Sequence, residues 1–232
     1  TYLRTAIGQM SAHQGLTLSP TLPSLSLLDG RADYAAFNST LISNLAEIAA
    51  GRFNVHSNNY TTIASQLTST RTTAWTATQT HEFTVDFGDT ESARHFFNTG
   101  GQIQLAGSRT GGAATTQNAD WSSLLSVSGT VSFGVTDYYA LTGSYATFSS
   151  TLGGGAYTSN NWTIKIKRDD VAGLNGANGS IIRFQSIFND GHLPIGTGPD
   201  SIDGILTSSI GERICNDSFA PTSPTYTTIT NL

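Results

Sequence analysis

Paired acids are the first residues whose types could do chemistry here, because glycan-cleaving enzymes flank the scissile bond with two carboxylates roughly 5–10 Å apart. Asp169 and Asp170 are adjacent at the end of an alternating segment. Successive strand residues point to opposite faces, so a solvated turn is the ordinary role of such a pair. Asp86, Asp89 and Glu91 fall at a strand end and a helix start, and Asp190, Asp200 and Asp203 in a glycine-rich stretch. A hydrolytic pair would need the turn to bend Asp169 and Asp170 together, or folding that brought Asp170 beside Asp190. Asn189, Asp190, Asp200 and Asp203 are the best oxygen-ligand set for a calcium ion, but they lack the D-x-D-x-D-G spacing of a dedicated loop. The expectation is therefore no metal and no cofactor.

The remaining reactive residues are sparse. His13, His56, His81, His95 and His192 never stand at ligand spacing. Cys215 is the only cysteine, which rules out an intrachain disulfide. Its neighbours Arg213, Ile214, Asn216 and Asp217 form no nucleophile signature, so it reads as a small packed thiol. Gly196-Thr197-Gly198 runs into Pro199 and lacks the third glycine of a dinucleotide loop. There is no G-x-S-x-G elbow, P-loop or H-E-x-x-H helix. Tyr138, Tyr139, Tyr145, Tyr157 and Trp162 could stack on a sugar, although Trp162 heads the same face as Ile164 and Ile166 and so also reads as core. The chain is expected to hydrolyse nothing: not an enzyme.

Composition narrows the class. Charged residues make up 12% of the 232, about half the usual share, against 38% hydrophobic. Thr, Ser, Asn, Gln and Gly fill the surface instead, which suits β-rich walls packed against other subunits. A net charge of −5, with Lys165 and Lys167 the only lysines, argues against nucleic acid as a partner. No apolar run approaches the roughly 18–20 residues of a membrane span, and residues 1–15 lack the apolar core of a signal peptide.

The elements that must position these residues follow from periodicity. Residues 81–112 read as strand, capped helix, glycine stop and strand. Phe83, Val85 and Phe87 alternate with polar residues. Asp89 is the N-cap of a helix over 89–99, with Glu91 in its first turn, and Gly100-Gly101 end it. Phe96 and Phe97 should lie buried between that helix and the sheet, making Asp89, Phe96, Phe97, Gly100 and Gly101 a structural hub. A second short helix is expected over 120–128. Further strands are expected over 130–135, 138–150, 162–167, 182–188 and 202–214. Ahead of them, Leu3, Ile7 and Met10 fall at helical spacing. Asp33 is expected to cap a second helix whose Tyr34, Phe37, Leu41, Leu45 and Ile48 make an apolar stripe. That stripe either packs on the chain's own β domain or forms an oligomer seam. The expected fold is mainly β: an antiparallel β-sandwich with two short inserted helices, preceded by an α-helical N-terminal segment. The expected divisions are a helical attachment segment over 1–70, the sandwich over 71–214 and an extended tail over 215–232.

The run Arg94-His95-Phe96-Phe97-Asn98-Thr99-Gly100-Gly101-Gln102-Ile103 resembles a family of virion structural proteins of tailed bacteriophages, particularly phages of cyanobacteria. Arg71 to Trp75, Ser108 to Gly112, Trp121 to Leu125, Gly129 to Val131 and Ile202 to Ser208 share the likeness, which spans roughly residues 60–214. The resemblance implies a non-enzymatic particle component in the tail, baseplate or a fibre, located in the virion. It would be a homo-oligomer, a trimer by analogy with phage fibres, docked to other virion structural proteins. Two alternatives stay open: a module binding a host receptor or surface glycan, and a decorating or collar protein of the head or neck.

Overall fold

The computed structural model describes residues 2–25, 30–174, 176–192 and 201–229. Among them the chain is mainly β, with two antiparallel sheets packed as a sandwich behind an N-terminal helical pair. The pair is α1 (Tyr2–Gln14) and α2 (Arg31–Ala50). The first sheet takes β1 (Tyr60–Arg71), β3 (Gln102–Thr110), β4 (Thr130–Phe133) and β8 (Ile205–Cys215) in the order β1-β8-β3-β4. The second takes β2 (Gln79–Asp86), β5 (Ala146–Leu152), β6 (Asn161–Arg168), β7 (Ile181–Asn189) and β9 (Thr225–Ile229) in the order β5-β6-β7-β2-β9.

Alternation builds the core. Phe83 and Val85 from β2, Trp162, Ile164 and Ile166 from β6, and Ile182, Phe184 and Phe188 from β7 turn inward against Ile103 and Leu105 of β3 and Leu206 and Ile210 of β8. Helix α3 (Thr90–Asn98) carries the chain from the second sheet to the first. It brings Phe96 and Phe97 into full burial, where Phe97 stacks on Tyr138 at 4.6 Å and meets Phe133 edge-on at 5.5 Å. Helix α4 (Thr116–Ser128) packs on β3, and its Trp121 meets Trp75 edge-on at 5.0 Å.

Several local expectations change. Asp33 is not an N-cap: α2 starts at Arg31 after Gly30, and the Asp33 carboxylate, two residues inside, accepts the Gly30 N–H at 3.0 Å. The strand expected over 138–150 is split. Residues Val135–Tyr139 form a short helix, α5, because Asp137 accepts the Gly134 N–H at 2.9 Å and Tyr138 has a core site to fill. The body thus holds three helices, not two, among the described residues. Both sheets also reach beyond 71–214, since β1 pairs with β8 from Tyr60 onward and β9 pairs with β2.

Candidate functional site

The hub residues fall on one joint. Asp89 Oδ1 accepts the Ser92 N–H at 2.7 Å, and this bond holds the carboxyl below its ordinary range. Glu91 pairs with Arg94 one turn on. Gly100 has a φ of +80°, and a Cβ there would strike Val55 Cγ2 at 2.1 Å. At Gly101 a Cβ would strike the Phe96 carbonyl oxygen at 2.5 Å and its ring at 2.6 Å. The double glycine lets the chain leave α3 directly over the phenylalanine it has just buried.

The acids are dispersed and bonded, although Asp170 Oδ1 is buried without a hydrogen-bond partner. Asp169 is held by Lys167 at 2.7 Å and Arg183 at 2.6 Å; burial works against its charge, but those cations keep the carboxyl below its ordinary range. Asp170 accepts the Ser180 N–H at 2.7 Å and its hydroxyl at 2.9 Å. Asp170, bonded at Ser180, and Asp190 stand at opposite ends of β7, roughly 30 Å apart at strand rise, far beyond the spacing of a glycosidase pair. Of the proposed oxygen-ligand set, Asp200 lies outside the described residues. Asp190 takes a hydrogen bond from Gln117 at 3.0 Å. Asp203 accepts the Ala113 N–H at 3.0 Å, an Asn118 side-chain N–H and Arg109 at 3.3 Å, donors that hold its carboxyl low.

The aromatic cluster is partly core. Trp162 and Tyr138 are buried, the first donating to Ser186 Oγ at 2.8 Å and the second to the Gly179 carbonyl at 3.0 Å. Tyr139 is exposed, while Tyr145 and Tyr157 are half-buried, Tyr145 lying 5.1 Å beneath Lys167 Nζ. No continuous aromatic platform results from these five.

Two buried polar groups were not singled out by the sequence. His81 Nδ1 is 2.9 Å from Ser208 Oγ, and since the Ser208 hydroxyl donates to Ser186 Oγ, the imidazole donates to the serine rather than serving as its base. Both residues are 1% exposed between the sheets, so no substrate reaches them. Burial, then the Arg71 charge, pushes the His81 pKa down to about 4. Glu212, wholly buried on β8, accepts from Gln66 at 3.1 Å, Ser223 at 2.9 Å and Tyr226 at 2.7 Å, tying β1 and the C-terminal segment to the sheet.

The third missed group lies where α1 meets the sandwich. His13 Nδ1 is 2.8 Å from Asp217 Oδ2, and the Cys215 thiol donates to Asp217 Oδ1 at 3.0 Å. Cys215 Sγ stands 3.8 Å from His13 Nδ1. Burial, reinforced by the Asp217 bond, pushes the thiol up to about 11, so Cys215 is protonated and no nucleophile. The His13 carbonyl is fixed by the His56 N–H at 2.8 Å and by Asn59. His13 and Asp217 are 204 positions apart, a meeting that no local pattern announces.

The helical pair presents its stripe unevenly. Ile48 is buried and Phe37 and Leu41 are half-buried, Phe37 lying 5.7 Å under the Arg4 guanidinium. Tyr34 and Leu45 remain 46% and 43% exposed, and Ile42 beside them 69%. Among the described residues no helix is long and apolar enough to cross a membrane. No family model, curated protein or solved structure matches this chain.

Proposed function

We propose that this chain is a non-enzymatic structural subunit of a tailed-phage particle, in the tail, baseplate or a fibre, and that copies of it associate through the outward face of α1 and α2. One observation carries the association. Half of the exposed large apolar side chains among the described residues (Tyr2, Leu3, Met10, Tyr34, Ile42, Leu45 and Phe53) lie on residues 2–53, under a quarter of the chain. Large apolar side chains left exposed in one segment mark interaction surfaces, although Met10 and Leu45 among them border the cavity toward the sandwich. The face has little charge to choose a charged partner: Arg4 is the only Arg, Lys, Asp or Glu on α1, and Arg31, Asp33 and Glu47 are the only ones on α2. A second copy offers the same apolar face, which suits a closed symmetric contact. Three copies are the expected number.

The sandwich supports the structural role by enclosing its own polar groups. Its Ser–His pair is sealed and its acids are spent on arginine, lysine and backbone donors. The viral setting is supported by the residue strings around Phe96-Phe97 and Ile202 to Ser208. Electron cryomicroscopy of purified particles tests the whole reading. The sandwich should appear in repeated copies at one fixed position, with α2 against a neighbouring copy. Absence from purified particles would refute the assignment.

A further inference from the structure

We propose that His13, Cys215 and Asp217 form a three-ligand site for a divalent transition-metal ion, with zinc as the best match. The donor set is one imidazole nitrogen, one thiol sulfur and one carboxylate, the three ligand types zinc takes in proteins. Their ligand atoms all lie within 4.8 Å of one another. Zinc bonds of about 2.0–2.3 Å in a tetrahedron set donors about 3.3–3.8 Å apart. The observed separations are 2.8 Å for Nδ1 to Oδ2, 3.0 Å for Sγ to Oδ1 and 3.8 Å for Sγ to Nδ1. The two short contacts use different Asp217 oxygens, so the carboxylate turns to bring one oxygen to tetrahedral spacing from both nitrogen and sulfur.

The surroundings are those of a held site. Asp217 Oδ1 accepts the Phe219 N–H at 2.8 Å, which orients the carboxylate, and the Phe219 ring stands edge-on to His13 at 5.1 Å. His13 retains 11% of its side-chain surface and Asp217 19%, enough for an ion to enter. A cavity of about 440 Å³, lined by Met10, His13, Leu45, Ile48 and Phe219 among others, adjoins His13 and leaves room for a water as fourth ligand. When the ion enters, the thiol proton now donated to Asp217 leaves to solvent and sulfur binds as thiolate, while His13 gives up the proton on Nδ1 and binds as the neutral tautomer with its N–H on Nε2. The ion joins the last turn of α1 to the end of β8, fastening the helical pair to the sandwich. This site stands independently of the assembly reading.

Cobalt(II) titration of tag-free, metal-stripped protein tests it. Cys215 is the only cysteine, so a sulfur-to-cobalt charge-transfer band reports on this residue alone. The expected result is a band saturating at one cobalt per chain and abolished by zinc. Cys215→Ser should remove the band, and His13→Gln and Asp217→Asn should each weaken binding by at least about tenfold. Zinc should also raise the thermal midpoint of the parent chain, a readout that needs no variant to fold. No band in the parent chain would overturn the proposal. So would undiminished affinity in both His13→Gln and Asp217→Asn, which would place the ion elsewhere.

Discussion

Acid should destabilise this protein through His81 before most of its carboxylates protonate. The imidazole lies between the sheets, 1% exposed, with Nδ1 against Ser208 Oγ at 2.9 Å. Ser208 donates to Ser186 Oγ at 2.9 Å, so the Ser208 oxygen receives the proton on Nδ1. Nε2 has no partner, and a second proton there would be buried without an acceptor. The folded pKa is about 4 against 6.5 for the free side chain. Between those values the unfolded chain binds a proton that the folded chain refuses, so stability falls as pH drops from 6.5 and levels off below about 4. At about 1.4 kcal/mol per unit, the full loss is about 3 kcal/mol. Urea unfolding at pH 7 and at about pH 4.5, on the parent chain and on His81→Gln, isolates the effect, since glutamine keeps a donor but cannot titrate. The parent should lose more stability than the variant by about 2–3 kcal/mol. Equal losses, or a His81 ring that titrates near 6.5 by NMR in the folded protein, would refute the reasoning.

Other perturbations probe the hub and the chain ends. Phe97→Ala should cost about 3–5 kcal/mol in chemical denaturation, because it empties a site enclosed by Phe96, Phe133 and Tyr138. Gly101→Ala should lower the thermal midpoint by as much or more, since its Cβ meets backbone that cannot retreat; an unchanged midpoint would show that α3 can shift freely. Tyr226→Phe removes a hydrogen bond to the buried Glu212 carboxylate, worth about 1.5–3 kcal/mol. Its amides at Thr225–Ile229 should exchange faster than the parent's by deuterium uptake.

Much of the sandwich was legible because its strands obey one period. Trp162, Ile164 and Ile166 face the core opposite the half-buried Lys165 and Lys167, and the Asp89 cap with its double-glycine stop marks α3 to within a residue. Strand β1 was hidden because its burial pattern is nearly all exposed, so Tyr60–Arg71 shows no apolar alternation. Strand β9 is short, and its Tyr226 is placed by Glu212, a partner on another strand. At Tyr138 an aromatic run resembled a strand, yet the backbone carboxylate contact at Gly134 and the Asn178 N–H on the Tyr138 hydroxyl at 2.7 Å favoured a helical turn. The His13, Cys215 and Asp217 cluster was invisible for a different reason. Its ligands come from the two ends of the chain, and only the docking of α1 on β8 brings them together.

Light scattering coupled to size-exclusion chromatography tests the central claim most directly, comparing the parent chain with a Tyr34→Glu, Ile42→Glu double variant. Both positions are exposed, so the charges should leave the fold intact while opposing any apolar contact between copies. The parent should elute at a multiple of its 24.5 kDa mass, three being expected, and the variant at 24.5 kDa. A parent monomer, or an oligomer that the two glutamates leave unchanged, would contradict assembly through the helical pair.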